Sequence, residues 1–335
     1  MNYETFKTTT VASIQKHFGT SASVSVHTIT KNNNIHLDGL TIQSDSVNIS
    51  PTIYLNYYYD DYLAGKPFSS ILEDILTAYH RNRPAQSLDL SFFTDFQKVK
   101  YNIIYKLIHY DRNESLLKDL PHFRFLDLAV VFCCLLTDTG SCNATILIHN
   151  HHLDFWHITS NELYELAAKN TPVLLPFEFK NMEEVLKTLY PEISAETSDT
   201  ASEPELPMYV LTNHSKLYGA SCILYPNVLS NFAKKMNCDF YILPSSIHEV
   251  LLLPKEADSD IYDLNMMIHE VNDTQVQEED ILSDHVYCYE RASGFICLPA
   301  MHEDSGTDSY TLPPNFSMRN PSPCPEASGY STLLY

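Results

Sequence analysis

Glycine is scarce in this chain, 8 residues in 335, and tryptophan occurs once. Extended glycine-rich loops that cradle phosphate by close backbone approach are therefore excluded, and neither a Walker loop nor a GxGxxG run is present. GxSxG, HExxH and the EF-hand loop are also missing, so the enzyme classes that announce themselves by a short motif are not represented, and no cofactor is expected. Basic residues are few: 21 Lys and Arg stand against 42 Asp and Glu, a formal net charge of −21. That field repels phosphate backbones and anionic headgroups, which argues against nucleic-acid and membrane partners and leaves another protein, or a cation, as the complement.

None of the eight cysteines, Cys133, Cys134, Cys142, Cys222, Cys238, Cys288, Cys297 and Cys324, falls in a CxxC pair. Several sit in apolar runs such as VVFCCLL, where a thiol behaves as a small buried hydrophobe. The longest apolar run, Leu128 to Leu136, is less than half the length that spans a bilayer, and MNYETFKTTT carries no secretory signal. The expectation is a cytoplasmic protein with free thiols.

Apolar residues make up 44% of the chain, enough for a sizeable core, and 22 tyrosines with 16 phenylalanines give that core an aromatic character. Tyr3, Phe6, Thr10, Ile14 and Phe18 recur at helical spacing and predict a helix over Tyr3 to His17. Extended runs follow at Ser23 to Thr30, Ile35 to Gln43 and Ile49 to Leu55, giving an α-β-β-β start. The tyrosine-rich run Tyr54 to Tyr62 reads as an amphipathic strand-to-helix transition or as an aromatic contact surface. Ser70 and Glu73 have capping-box spacing and introduce a helix that stops at Pro84.

The middle of the chain reads as Val99 to Tyr110 extended, Glu114 to Leu120 helical, Phe125 to Leu136 extended, and a hairpin from Ala144 to Ile158. Thr159 with Glu162 caps a helix over Ser160 to Lys169, and Asn181 with Glu184 introduces another that ends at Pro191. Residues 193–207 are small and acidic and predict a linker or surface loop. Beyond it lie a hairpin of Met208 to Thr212 with Gly219 to Leu224, a helix begun by Pro226, and paired strands Asp239 to Leu243 and Glu249 to Leu253. A helix over Ser259 to Val271 and a hairpin over His285 to Leu298 complete the pattern, and the Pro-rich stretch 300–335 predicts disorder. The reading is an α+β fold with mixed or antiparallel sheets, divided as 1–84, 89–192, 193–207, 208–299 and 300–335.

Two clusters carry chemistry-bearing side chains. Ser245, Ser246, His248 and Glu249 bring hydroxyl, imidazole and carboxylate together between two strands, the ingredients of nucleophilic hydrolysis; alternating side-chain direction sets Glu249 away from Ser246 and His248, and a Pro-Ser-Ser turn uses its hydroxyls on backbone. His149, His151, His152 and His157 crowd the presumed hairpin tip and are candidate metal ligands, though without paired cysteines.

The stretches Ile49-Ser-Pro-Thr-Ile-Tyr-Leu-Asn56, Phe125-Leu-Asp-Leu-Ala-Val-Val131, Glu165-Leu-Ala-Ala-Lys-Asn-Thr171 and Leu243-Pro-Ser-Ser-Ile-His-Glu-Val250 resemble the signatures of an uncharacterised family of clostridial-type anaerobic bacteria. The resemblance covers Met1 to Leu298 and implies no catalytic residues. From Leu153 to Ile296 the element order is similar to that of a second uncharacterised Gram-positive family. Together these readings favour a non-catalytic binding or accessory protein that meets another protein. The alternatives are a hydrolase centred on Ser245, Ser246 and His248, and a metal-binding protein.

Overall fold

The run Leu128–Leu136 (β6) is buried on both faces nearly throughout, and it forms the centre of a sheet with Ile103–His109 (β4) on one edge and His122–Phe125 (β5) on the other. Central strands read as continuous apolar runs because neither face meets water. This computed structural model describes residues 1–44, 50–83, 91–136, 144–182, 208–255 and 260–299. Asn181, expected to introduce a helix, ends a strand, while residues 183–191 of that helix, the segment 193–207, the tail 300–335 and the thiols of Cys142 and Cys324 lie outside them. The architecture is α+β, with three antiparallel sheets among the described residues.

The described residues form two compact units, those within Met1–Asp95 and Leu136–Ala144, and those within Phe96–Leu135 and Thr145–Tyr335. In the first, Tyr3–Phe18 (α1) packs on a sheet of Ala22–Thr30 (β1), His36–Ser44 (β2) and Thr52–Tyr54 (β3), followed by helices Leu55–Leu63 (α2) and Phe68–Asn82 (α3). Phe6, Ile14, Leu40, Ile42, Ile53, Leu55, Ile71, Ile75 and Tyr79 form its core. The tyrosine run is the strand-to-helix transition: Tyr59 and Tyr62 lie against Phe6 with ring centroids 5.3 and 5.8 Å away. Ser70 is not a cap. Helix α3 begins at Phe68 behind Pro67, whose fixed backbone starts the helix three residues earlier.

In the second unit several expectations need correction. The run Val99 to Tyr110 is extended only from Ile103, because Phe96–Val99 (α5), which follows Ser91–Thr94 (α4) in the chain, and Lys100–Asn102 are short helical turns; the helix expected over Glu114 to Leu120 is the shorter Glu114–Leu117 (α6). The run Phe125 to Leu136 is one strand only from Leu128; Phe125 ends β5, and the chain turns at Leu126, φ +56°, to pair β5 with β6. The hairpin expected over Ala144 to Ile158 is a short strand, Ala144–Leu147 (β7), paired with β6, and then a helix, Asn150–Trp156 (α7). Leu153 and Trp156, three apart, face inward there, and that helical spacing overrides the polar appearance of the histidines.

Thr159 and Glu162 do form a capping box, and the helix they start, Ser160–Leu174 (α8), runs past the expected end and carries Pro172 internally. Its side chains cover the open edge of β4. The Thr171 hydroxyl accepts from the Tyr105 amide at 3.1 Å, and the Asn170 amide group donates to the carbonyls of Lys100 and Ile103 at 2.7 and 3.0 Å. An edge closed in this way cannot pair with another chain.

The third sheet has the order β13-β12-β10-β11-β9-β8, built from Phe295–Cys297, Tyr287–Glu290, Phe240–Leu243, Val250–Pro254, Tyr209–Asn213 and Phe177–Asn181. The pairing of β10 with β11 and the β12–β13 hairpin are as the sequence pattern indicates. Gly219–Leu224 is a 3-10 turn and not the second arm of a hairpin; β9 pairs with β8 and β11 instead. The helix expected at Pro226 starts at Val228 and runs to Met236 (α9), with Asn227 in the left-handed region. Phe232 of α9 meets Phe240, Tyr209 and Phe179 on one face of the sheet. Ile261–Gln275 (α10) packs Leu264 and Ile268 with Tyr241, Leu243 and Leu253.

The six described cysteines are free. Among the described residues no helix is long and apolar enough to cross a membrane.

Candidate functional site

The segment Pro244 to Glu249 connects β10 and β11, and nearly all of its polar groups are used in holding it. The Ile247 amide donates to Asp280 O at 2.9 Å, the Leu282 amide to Ser245 O at 3.0 Å, and the Ser283 amide to Pro244 O at 3.0 Å. The Thr212 hydroxyl donates to His248 O at 2.8 Å, and the Ala220 amide to Ile247 O at 3.2 Å. Ser246 is buried, and its Oγ accepts from the His248 backbone amide at 3.0 Å, a local serine turn.

The His248 ring faces away from these hydroxyls in bonding terms. Its Nδ1 lies 3.0 Å from Lys216 O and its Nε2 3.5 Å from Asp280 Oδ1, while the ring stacks on Tyr218. The Asp280 carboxylate raises the pKa of the imidazole above its ordinary value, against the opposing effect of burial. Among the described residues no serine hydroxyl bonds to this ring, so Ser245, Ser246, His248 and Glu249 are neighbours without a nucleophile–base contact.

The histidine cluster is brought together differently. His149 is the N-cap residue of α7, in extended conformation, and its backbone amide donates to His152 Nδ1 at 2.9 Å. The rings of His151 and His152 lie 4.0 Å apart, and His152 stacks on Trp156. Burial, followed by the neighbouring imidazoles, pushes the His152 pKa down to about 4. Asp119 joins the group from 30 residues upstream: its Oδ2 lies 2.6 Å from His149 Nδ1. His157 is separate in role, a left-handed C-cap whose amide donates to Asp154 O. Local spacing shows the histidines but gives no signal for Asp119, because the contact is made only when the two loops meet.

A third arrangement had no sequence signal beyond its family stretch. The hairpin turn at Leu126 directs Asp127 into a buried nest, where its carboxylate accepts from Tyr287 Oη at 2.5 Å, Ser283 Oγ at 2.6 Å and His285 Nδ1 at 3.2 Å. Burial raises the carboxyl pKa, but the three donors outweigh it and the net shift is downward. Asp284, next to Ser283, pairs with Arg112 and accepts from Asn272 Nδ2 at 2.8 Å. Asn272 and Asn265 thus fasten the inner side of α10 to residues 283–286.

The outer side of α10 is uncovered. Tyr262, Met266 and Met267 are 64%, 51% and 43% exposed, which distinguishes them from the buried apolar majority. Asp263, Met266, Met267, Glu270 and Asp273 follow the three- and four-residue spacing of one helical stripe and line a surface depression with His269 and Thr274. The helix contains three carboxylates and no lysine or arginine.

A family profile, the Family of unknown function (DUF5688), matches residues 3–291. The chain belongs to this family. No curated protein and no solved structure matches significantly. In this DUF5688 chain the four stretches that carry the family resemblance each hold a polar residue clamped on backbone or in the nest. Asn56 Oδ1 accepts from the Asp38 amide, Asp127 accepts from Ser283, His285 and Tyr287, Asn170 and Thr171 close the β4 edge, and Ser246 closes its own turn.

Proposed function

We propose that this DUF5688 chain is a non-catalytic binding protein of the bacterial cytoplasm, and that the outer face of α10 receives a basic amphipathic segment of another protein. The observation that carries the reading is the exposure of Tyr262, Met266 and Met267 among Asp263, Glu270 and Asp273 in a helix without a cation. Thioethers are flexible and polarizable, so a methionine surface adapts to an apolar helix stripe. A carboxylate rim selects a partner whose flanking residues are Lys or Arg, and the whole-chain charge of −21 accelerates that encounter. Cytoplasmic localisation and bacterial origin rest on the sequence resemblance and on the free thiols.

The hydrolase alternative has less support, because both nitrogens of His248 are turned to Lys216 and Asp280. The test is fluorescence anisotropy with an 18-residue Lys/Leu amphipathic peptide, beside a Glu/Leu peptide of the same pattern. Binding of the cationic peptide that weakens about tenfold or more in Met266→Glu/Met267→Glu, and again in Glu270→Lys/Asp273→Lys, supports the reading. Equal affinity for wild type and both variants overturns it, since binding would then be diffuse charge attraction.

A further inference from the structure

We propose that Asp119, His149 and His151 form a surface site for a divalent transition-metal ion of the zinc type, with three protein ligands and the remaining coordination positions open. One carboxylate oxygen and one ring nitrogen from each histidine lie within 4.8 Å of one another. Zinc holds nitrogen and carboxylate oxygen at about 2.0–2.2 Å, so tetrahedral donors stand about 3.3 Å apart. Side-chain rotation closes that difference, because Asp119 and His151 are exposed and His149 only half-buried.

The backbone beneath the three ligands is already fixed. The Asn150 amide donates to Asp119 O at 2.9 Å, the Asn150 side-chain amide donates to Lys118 O at 3.3 Å, and the His149 amide is held by His152. Asp119 and the two histidines therefore meet without further loop ordering, the usual entropic obstacle to a three-ligand surface site. His149 Nδ1 and Asp119 Oδ2 already lie 2.6 Å apart, and a cation bound by both takes the place of that direct contact. Two imidazoles and a carboxylate are a donor set for zinc, nickel, cobalt or copper rather than for calcium or magnesium, which take oxygen. Three ligands leave at least one position for water or for a donor from another molecule.

The experiment is a competition titration of zinc between a chromophoric chelator and the full chain lacking any histidine tag, with far-UV circular dichroism to confirm the fold of each variant. The expected result is one zinc per chain, affinity reduced about tenfold or more in Asp119→Asn and in His151→Asn, and unchanged affinity in His157→Asn. Absence of stoichiometric binding, or equal affinity in wild type, Asp119→Asn and His151→Asn, overturns the proposal.

Discussion

The Tyr287 hydroxyl donates to Asp127 Oδ1 at 2.5 Å, joining a hairpin tip to a strand of the neighbouring sheet across 160 residues of sequence. Tyr287 is fully buried and the Asp127 side chain is 13% exposed, so water contributes little to satisfying either group. Leu126 supports the arrangement at a conformational expense, since a branched side chain at φ +56° lies in a region that favours glycine or asparagine.

Removing the carboxylate strands the buried hydroxyls of Ser283 and Tyr287 and takes a partner from the half-exposed His285 ring. Asp127→Ala is expected to lower the unfolding free energy by about 2–4 kcal/mol, measured by urea denaturation, because Ser283, Tyr287 and His285 lose their shared acceptor. A change below about 0.5 kcal/mol, the ordinary range for a surface substitution, would show that the nest is not a stabilising link.

Gly219 is required by space. A Cβ there would stand 2.2 Å from His248 O and 2.2 Å from Thr212 Oγ1, at the point where the 3-10 turn passes the Ser246–His248 segment. Gly219→Ala is expected to destabilise by about 1–3 kcal/mol, and pulse proteolysis should show faster cleavage near residues 244–249. Wild-type stability in this variant would mean that the two segments separate easily.

Stability should peak near neutral pH. His248 and His285 have pKa values raised by Asp280 and Asp127, so their contributions are complete below about pH 6.5 and are lost as pH rises through the raised values. His109, His122 and His152 are pushed down chiefly by burial, so their contributions are present above about pH 6.5 and are lost as pH falls toward their folded values. Asp127 adds to the acid loss below about pH 4. Urea midpoints from pH 4 to 9 test this, and His248→Gln should flatten the alkaline limb; an unchanged limb rejects the Asp280 contact.

Among the described thiols, Cys297 should react first with iodoacetamide. It is opposite Cys288 in the β12–β13 register, and the hydrogen bond from Cys288 holds its pKa below the ordinary value. Burial instead raises Cys133, to about 11, and Cys134 and Cys222, each to about 12. Peptide mapping after brief alkylation reads the order, and faster labelling of Cys133 or Cys222 contradicts it.

Helix α1, the capping box of α8, the β10–β11 pair and the β12–β13 hairpin were legible because each depends on contacts between close neighbours or on one repeating apolar face. The Leu126 turn was not, since nothing in Phe125-Leu-Asp-Leu128 favours a left-handed residue and the contacts that hold it, Asp127 with Tyr287 among them, are made largely with distant segments. The 219–224 segment was misjudged for the same kind of reason: β9 finds its partners in β8 and β11, which lie far away in sequence.

Sequence alone determined the acidic charge, the α+β class and the positions of the serine and histidine clusters, because these follow from composition and short-range spacing. Tertiary structure decided what each cluster touches. It turned His248 toward Asp280, brought Asp119 to His149 and left Met266 and Met267 uncovered, since such contacts depend on which distant segments come to share one place.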